Sequence, residues 1–240
     1  MNNSLLFGKA TDELLAAGSL FLSSNVLHTE RVSKSGSIKI LVDTPEGRKL
    51  VVAKKLLITI PPTPAALANF DTNEEELSIF SQLQGFGYYT SIIRNAGPIN
   101  ITLQNLAIDQ PYALPPRPGS YNCNPTGVNP SLSLCFYGTK LGQVFSDDEA
   151  KADMITDLKH FQAVNGLNTT EPEFVVFSDH SPYWLMVSAK TTKAGFHKRM
   201  YALQGKRNTF WTGATWRAQD SSANWKFTRD IVLPALLVTL

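Results

Sequence analysis

Asn208-Thr-Phe-Trp-Thr-Gly-Ala-Thr215, followed by Trp216-Arg-Ala-Gln-Asp-Ser-Ser-Ala-Asn-Trp225 and Lys226-Phe-Thr-Arg-Asp-Ile-Val-Leu-Pro-Ala-Leu236, is the stretch around which the chain is read. Asn208 to Thr212 is aromatic and β-prone, which predicts a short buried strand. Gly213 follows at once; without a Cβ the backbone can turn sharply and a ligand can come close. Asp220, Ser221 and Ser222 are cap-type residues. Phe227, Ile231, Val232 and Leu236 then recur at helical spacing. Strand, glycine, polar loop and helix together offer the free N–H groups of a helix start to an anion. An ordinary strand-to-helix connection in any α/β domain has the same outline.

Upstream, Thr11–Ala17 predicts a short helix ended by Gly18. Val26–Arg31, Ser37–Asp43 and Lys49–Ala53 read as a meander of strands, with turns at Ser33–Gly36 and Pro45-Glu-Gly47. Leu56–Ile60 is almost continuously apolar, as a strand covered on both faces should be, and Pro61-Pro62 stops it.

These two segments resemble FAD-dependent amine-oxidase-like enzymes, in the fungal branch typified by β-cyclopiazonate dehydrogenase. The likeness rests on Thr212-Gly-Ala-Thr215 with Asp220-Ser-Ser-Ala-Asn-Trp225 and a helix, and on the β-ribbon leading to Leu57-Ile-Thr-Ile-Pro-Pro62. It implies an α+β fold: a partial α/β FAD-binding layer joined to a mixed-sheet substrate domain. Residues 1–64 would form part of the FAD-binding domain, 65–188 the substrate domain and 189–240 the closing FAD-binding segment.

The resemblance also implies site residues. Val26 would offer its backbone to the adenine, though it reads equally as a core strand residue. Gly213 and Ala214 would lie against the pyrophosphate. Ser222, Asn224 and a helix start at Trp225 would approach the flavin edge. Trp225 would be an aromatic wall facing the ring or, on the plainer reading, an aromatic packed on the last helix. The FAD would be held non-covalently. Amine oxidases of this kind carry a lysine on the strand matching Tyr88–Ile93, where this chain has none. Monoamine oxidation is therefore not expected; oxidation or oxidative cyclisation of a bulkier, nitrogen-containing or other natural product is. No residue receives a catalytic role.

The strand–GxGxxG–helix unit that holds the ADP half of FAD has no counterpart here. Gly85-Phe-Gly87 runs into a predicted strand and fails that pattern. The expectation is a truncated member, a mis-read gene or one piece of a split protein, with weak or absent FAD affinity of its own. A non-catalytic remnant that binds or regulates an intact flavoprotein is the rival expectation, and a protein partner covering the exposed sheet follows from either. An unrelated α+β binding module with a coincidental end is a third.

Between the two segments, Asn73–Leu83 predicts an amphipathic helix with Leu77, Phe80 and Leu83 inward. Gly85–Arg94 and Ile99–Leu106 predict strands, and Asp109–Pro130 a long loop rich in proline, glycine and asparagine. Leu132–Tyr137 returns to strand. Ser146-Asp-Asp-Glu149 is a capping box opening a helix with Met154, Ile155, Leu158 and Phe161 buried. Phe174–Phe177 and Trp184–Val187 predict strands, and Gly195–Leu203 a short helix.

Charge and composition exclude several classes. A net charge of +2 with dispersed basic residues is no nucleic-acid footprint. The apolar runs are too short for a membrane span, and Met1-Asn-Asn-Ser-Leu-Leu-Phe is unlike a signal peptide, so the default expectation is a soluble cytoplasmic protein. Cys123 and Cys135 flank a loop and could pair, but free thiols are expected without other signs of secretion. The four histidines show no metal-ligand spacing. Asp179-His180-Ser181 reads as a turn rather than a hydrolase fragment. The N-x-Ser/Thr triplets at Asn2, Asn100 and Asn168 locate nothing.

Overall fold

The computed structural model describes residues 3–31, 36–97 and 101–240. The architecture is α+β, in two compact units: Met1–Ser81 with Thr192–Leu240, and Gln82–Thr191.

The first unit begins with α1 (Asn3–Ala16), twice the predicted length and without a buried residue. Gly18 ends it at φ +63°, and Ser19 N–H donates to the Leu14 carbonyl at 2.9 Å, a left-handed glycine cap. The strands β1 (Asn25–Glu30), β2 (Ile38–Thr44) and β3 (Gly47–Ala53) pair antiparallel in that order, the expected meander. Most of the expected Ser33–Gly36 turn lies outside the described residues. Strand β4 is shorter than expected, Leu56–Ile58. It is followed by α2 (Glu74–Phe80), whose N-cap Asn73 and Glu76 form a reciprocal capping box. The inward residues of α2 are Glu76, Ile79 and Phe80, whereas Leu77 is exposed. Burial follows Glu76 because its carboxylate binds Arg31, a charge partner that apolar spacing cannot register.

In the second unit the expected Gly85–Arg94 strand is broken at Gly87 into β5 (Gln84–Phe86) and β6 (Tyr88–Arg94). Gly87 N–H turns aside to the Gln143 carbonyl at 2.9 Å. Only Leu103–Gln104 (β7) remains of the next predicted strand, whose first two residues lie outside the described ones. The predicted 109–130 loop contains a full strand, β8 (Gly119–Pro125), paired with β9 (Leu132–Gly138). Cys123 and Cys135 face each other across that pair and are joined in a disulfide, which corrects the expectation of free thiols. The thiols meet because β8 is a strand, and a loop reading could not bring them into register.

Helix α3 (Asp147–Val164) opens with the Ser146/Glu149 capping box and buries Ala150, Met154, Leu158 and Gln162. Strand β10 (Glu173–Asp179) completes a five-stranded sheet in the order β10-β6-β9-β8-β7, and β11 (Tyr183–Met186) pairs with β5. Alternation along β6 and β9 sends Tyr89, Ile93, Cys135 and Tyr137 into one core with Met154 and Leu158.

The chain then makes α4 (Ala189–Lys193), which periodicity missed, and α5 (Phe196–Tyr201). Strand β12 (Thr209–Trp211) is buried at every residue and pairs parallel with β4, Thr209 opposite Leu56 and Trp211 opposite Ile58. The closing helix runs as α6 (Ser221–Phe227), a wider π turn over Thr228–Val232, and α7 (Leu233–Leu237). Pro234, which has no N–H to return into the ladder, sits just past the wide turn. No described helix is long and apolar enough to cross a membrane.

Candidate functional site

The carboxyl ends of paired parallel strands are where α/β sheets place ligands, because the chain leaves both strands there and opens a crevice. Here the pair is β4 and β12. A cleft of about 610 Å3 runs along β4 to Thr59 and Ile60 and is closed on its far side by Asn25, Val26 and Asn69. Val26 lies at the start of β1, half-buried, with its carbonyl accepting from Asn69 Nδ2 at 2.8 Å.

Gly213 lies just beyond β12. Thr212 N–H extends the parallel ladder to the Ile58 carbonyl at 3.0 Å, and the chain then turns at Gly213 with φ +110°. A Cβ there would stand 3.0 Å from the Thr59 carbonyl oxygen, so only glycine fits without strain. Thr59 also lines the cleft that holds Val26. The early ribbon and the terminal junction are therefore joined through Thr59, the residue that follows β4. The Gly213 carbonyl accepts from Trp216 N–H at 3.0 Å, which folds Ala214 into a tight turn. Trp216 stacks on Trp211 with centroids 5.7 Å apart, and both rings are buried. The hydroxyls of Thr212 and Thr228 meet at 2.6 Å and tie the strand end to the closing helix.

The remaining sequence-derived residues are arranged differently. The closing helix starts at Ser221, with Asp220 as N-cap accepting from Ala223 N–H at 2.7 Å, so Trp225 is one turn inside rather than at the start. Asp220 holds the cap because its carboxylate reaches that backbone donor and Ser222 Oγ at 2.6 Å, and these bonds lower its pKa. The Ser222 hydroxyl is thus engaged in the cap. Asn224 donates Nδ2 to the Ala218 carbonyl at 2.6 Å, while its buried Oδ1 has no partner. Trp225 is 62% exposed. Val26 lines the cleft and Gly213 packs against Thr59, which lines it too; Ser222, Asn224 and Trp225 belong to the helix start.

A cleft along β4 and a glycine turn packed on Thr59 at its outlet fit a dinucleotide better than a metal. Among the described residues no three His, Cys, Asp or Glu side chains gather to hold an ion. Sequence reasoning missed Asn69, which has no motif of its own, and quoted Thr59 only within Leu57-Ile-Thr-Ile-Pro-Pro62. It also missed a second cavity of about 320 Å3 in the other unit, between β7–β8 and α3. There burial pushes the Asp157 carboxyl up, against the hydrogen bond it accepts from Ser120 N–H at 2.6 Å.

No family model matches the chain. It is 40% identical over 244 residues to FAD-dependent oxidoreductase oblC of Cochliobolus heterostrophus, covering 100% of this chain and 50% of that protein. Identity to FAD-dependent oxidoreductase pigF of Monascus ruber is 32%, covering 100% of this chain and 51% of the relative. For β-cyclopiazonate dehydrogenase of Aspergillus flavus it is 32%, covering 95% and 49%. The chain therefore spans about half the length of the curated relatives it matches. Among solved structures, the CLA-producing fatty acid isomerase from P. acnes superposes with a TM-score of 0.65 at 16% identity, over 88% of this chain and 47% of that one. A protoporphyrinogen oxidase candidate from Exiguobacterium sp. 255-15 gives 0.58 at 15% identity, over 90% and 47%. These likenesses place the fold with the FAD-binding amine-oxidase-like architectures.

Proposed function

We propose, from the premise that this chain belongs with the fungal FAD-dependent oxidoreductases that include β-cyclopiazonate dehydrogenase, that it forms one side of a non-covalent FAD cradle together with a substrate-binding sheet. The activity we assign to the complete cradle is oxidation or oxidative cyclisation of a bulky natural product in specialised metabolism. Bound flavin would supply a hydride acceptor there. The chain's own groups would hold and orient it. Val26 would contribute backbone polarity to the adenine end of the cleft, and Gly213 and Ala214 a close backbone approach to the pyrophosphate. Asn224 Oδ1 would be a free acceptor near the closing helix, and Trp225 an aromatic face.

One observation carries this reading: β4 and β12 pair in parallel, with Gly213 seated on the carbonyl of a residue that shares a cleft with Val26. The test is to purify the chain alone and co-expressed with the half of oblC that it does not match, and record the yellow flavin band. Flavin retained only by the complemented wild type, and lost from a Gly213→Val version, supports the reading. A complemented, folded assembly without flavin overturns it.

A second reading has its own support, because α1 exposes Leu5, Leu6 and Phe7 and buries nothing. In it the chain is a non-catalytic remnant that docks on an intact flavoprotein and regulates it. A colourless chain that co-purifies with full-length oblC would favour that role.

A further inference from the structure

We infer that the face of the five-stranded sheet turned away from α3 binds a flat, conjugated molecule carrying an anionic oxygen, and that Arg117 reads that charge. The inference rests on the oxidoreductase reading for its purpose, since it names that enzyme's substrate class, but not for the binding itself.

Strand alternation creates the face. Tyr89 and Ile93 point into the core under α3, which leaves Tyr88 and Thr90 on the opposite side of β6. On β9, Cys135 and Tyr137 go inward and Phe136 outward. A bulge in β8 between Ser120 and Asn122 re-aims the strand and sets Tyr121 against Phe136. The result is a continuous row of rings. Tyr183 stacks on Tyr88 with centroids 4.4 Å apart, Tyr88 lies 6.4 Å from Phe136, and Phe136 lies 6.0 Å from Tyr121. Each of these four side chains is only half-buried, so the row is not part of a closed core.

Arg117 stands beside this row. Its guanidinium is 4.8 Å from the Phe86 centroid and 5.9 Å from that of Tyr121, and exposed to solvent. Among the described residues it has no carboxylate partner, unlike Arg31, Arg94, Arg207 and Arg229. Rings held against its plane leave the N–H edge as the group that can meet a carboxylate or enolate in bidentate fashion. His180 Nε2 lies 3.2 Å from Thr90 Oγ1, with its ring 5.9 Å from Tyr88. The phenols of Tyr121 and Tyr183 stay protonated, and so remain donors. Burial pushes Tyr121 up, helped by its hydrogen bond with Tyr88 and opposed by Arg117, and Tyr183 rises through burial and Tyr88. A row of half-buried rings, neutral phenol donors and a cation without a carboxylate partner suit a flat anion and repel a protonated amine.

The experiment titrates the 240-residue chain with naphthalene-2-carboxylate, naphthalene-2-carboxamide and naphthalen-2-ylmethylammonium by calorimetry. The carboxylate is expected to bind about tenfold more tightly than the carboxamide, the worth of one charge-assisted contact. Arg117→Gln, at an exposed position, should erase that margin while circular dichroism stays unchanged, and Tyr88→Ala should weaken all three probes. Equal affinities, preference for the ammonium, a carboxylate margin that survives Arg117→Gln, or no saturable binding would each overturn the inference. A complemented, folded assembly that stays colourless while the chain still shows the margin would sink the flavin reading and leave this one standing; a yellow assembly without it would do the reverse.

Discussion

Arg31 is the most demanding residue in the first unit, because its side chain is wholly buried and a guanidinium cannot shed its charge there. Its donors are met: Nε reaches Asp71 Oδ1 at 2.7 Å, Nη1 and Nη2 reach Glu76 at 2.9 and 2.8 Å, and Nη2 also reaches the Asp71 carbonyl at 3.1 Å. Arg207, just before β12, adds contacts to Asp71 Oδ2 at 2.6 Å and Glu76 Oε2 at 3.1 Å. The cluster therefore pins the end of β1, the start of α2 and the approach to β12 to one another. Glu76→Ala would strand Arg31 without its main partner, and we expect a loss of about 3–5 kcal/mol in urea unfolding of the first unit. A loss below 1 kcal/mol, within the range of an exposed pair, would show that the cluster is dispensable. Asp71 sets a pH dependence. Burial alone would raise its pKa, but hydrogen bonds from the Arg31 side chain and backbone and the attraction of that charge hold it below the usual range. A depressed folded pKa gives stability that is present above the unfolded value, about 4, and is lost as pH falls through the folded one. Melting temperature should thus drop on acidification below about pH 4, and Asp71→Asn should have a lower but flatter acid limb. Gly213→Ala would force a Cβ against the Thr59 carbonyl at φ +110°, and a cost of about 1–3 kcal/mol is expected.

At the scale of elements, the β8–β9 pair is held by the Cys123–Cys135 bridge, which closes a loop of sequence separation 12. Loop-closure entropy assigns such a bridge about 3 kcal/mol. Cys123→Ala/Cys135→Ala should lower the midpoint of the second unit by that order, with the first unit's transition unchanged; an unaltered midpoint would show that strand pairing alone sets the local stability. This pair also shows where reading the chain by composition stops. Gly119–Pro125 is full of turn-forming residues, yet seven successive residues form a strand because β9 offers a ladder and α3 covers one side; non-local pairing overrides local preference. The meander β1–β3, β4, β12 and the Ser146 capping box were legible, since alternation, apolar runs and cap residues are local signals. The inward face of α2 was not, because Glu76 is buried by a charge 45 residues away. At the junction that carries the candidate site, Gly213 was legible as a sharp turn and Val26 as a strand residue. Asp220 was a readable cap, but the helix start that follows from it moved Trp225 inward by a turn. Asn69 and Arg117 carried no signal, as their contacts exist only once distant strands meet.

For the whole molecule, apolar surface left in water sets the behaviour of the chain in solution. Helix α1 packs none of its side chains, and Leu5, Phe7 and Leu14 are all exposed. Strands β4 and β12 form a two-stranded parallel sheet whose outer edges meet no further strand among the described residues. Parallel sheets are ordinarily covered on both faces, and open edges recruit other chains. The relatives matched are about twice as long as this chain, so in them such surfaces have further protein available to cover them. We therefore expect the isolated chain to self-associate with rising concentration, and the complementary half to suppress it. Two variants separate the causes. Phe7→Glu with Leu14→Lys removes apolar area from α1 without touching any buried residue, so it should leave the melting temperature within about 0.5 kcal/mol equivalents of wild type. Ile60→Lys charges the outlet of β4, at the mouth of the cleft, in the way natural edges are blunted. Sedimentation velocity over a hundredfold concentration range reads both. If the α1 variant alone abolishes association, the helix is the adhesive surface and the remnant reading gains support. If only Ile60→Lys does, the strand edge beside the candidate cradle is the surface awaiting its complement. A wild-type chain that stays monomeric throughout would refute the claim that these surfaces need cover.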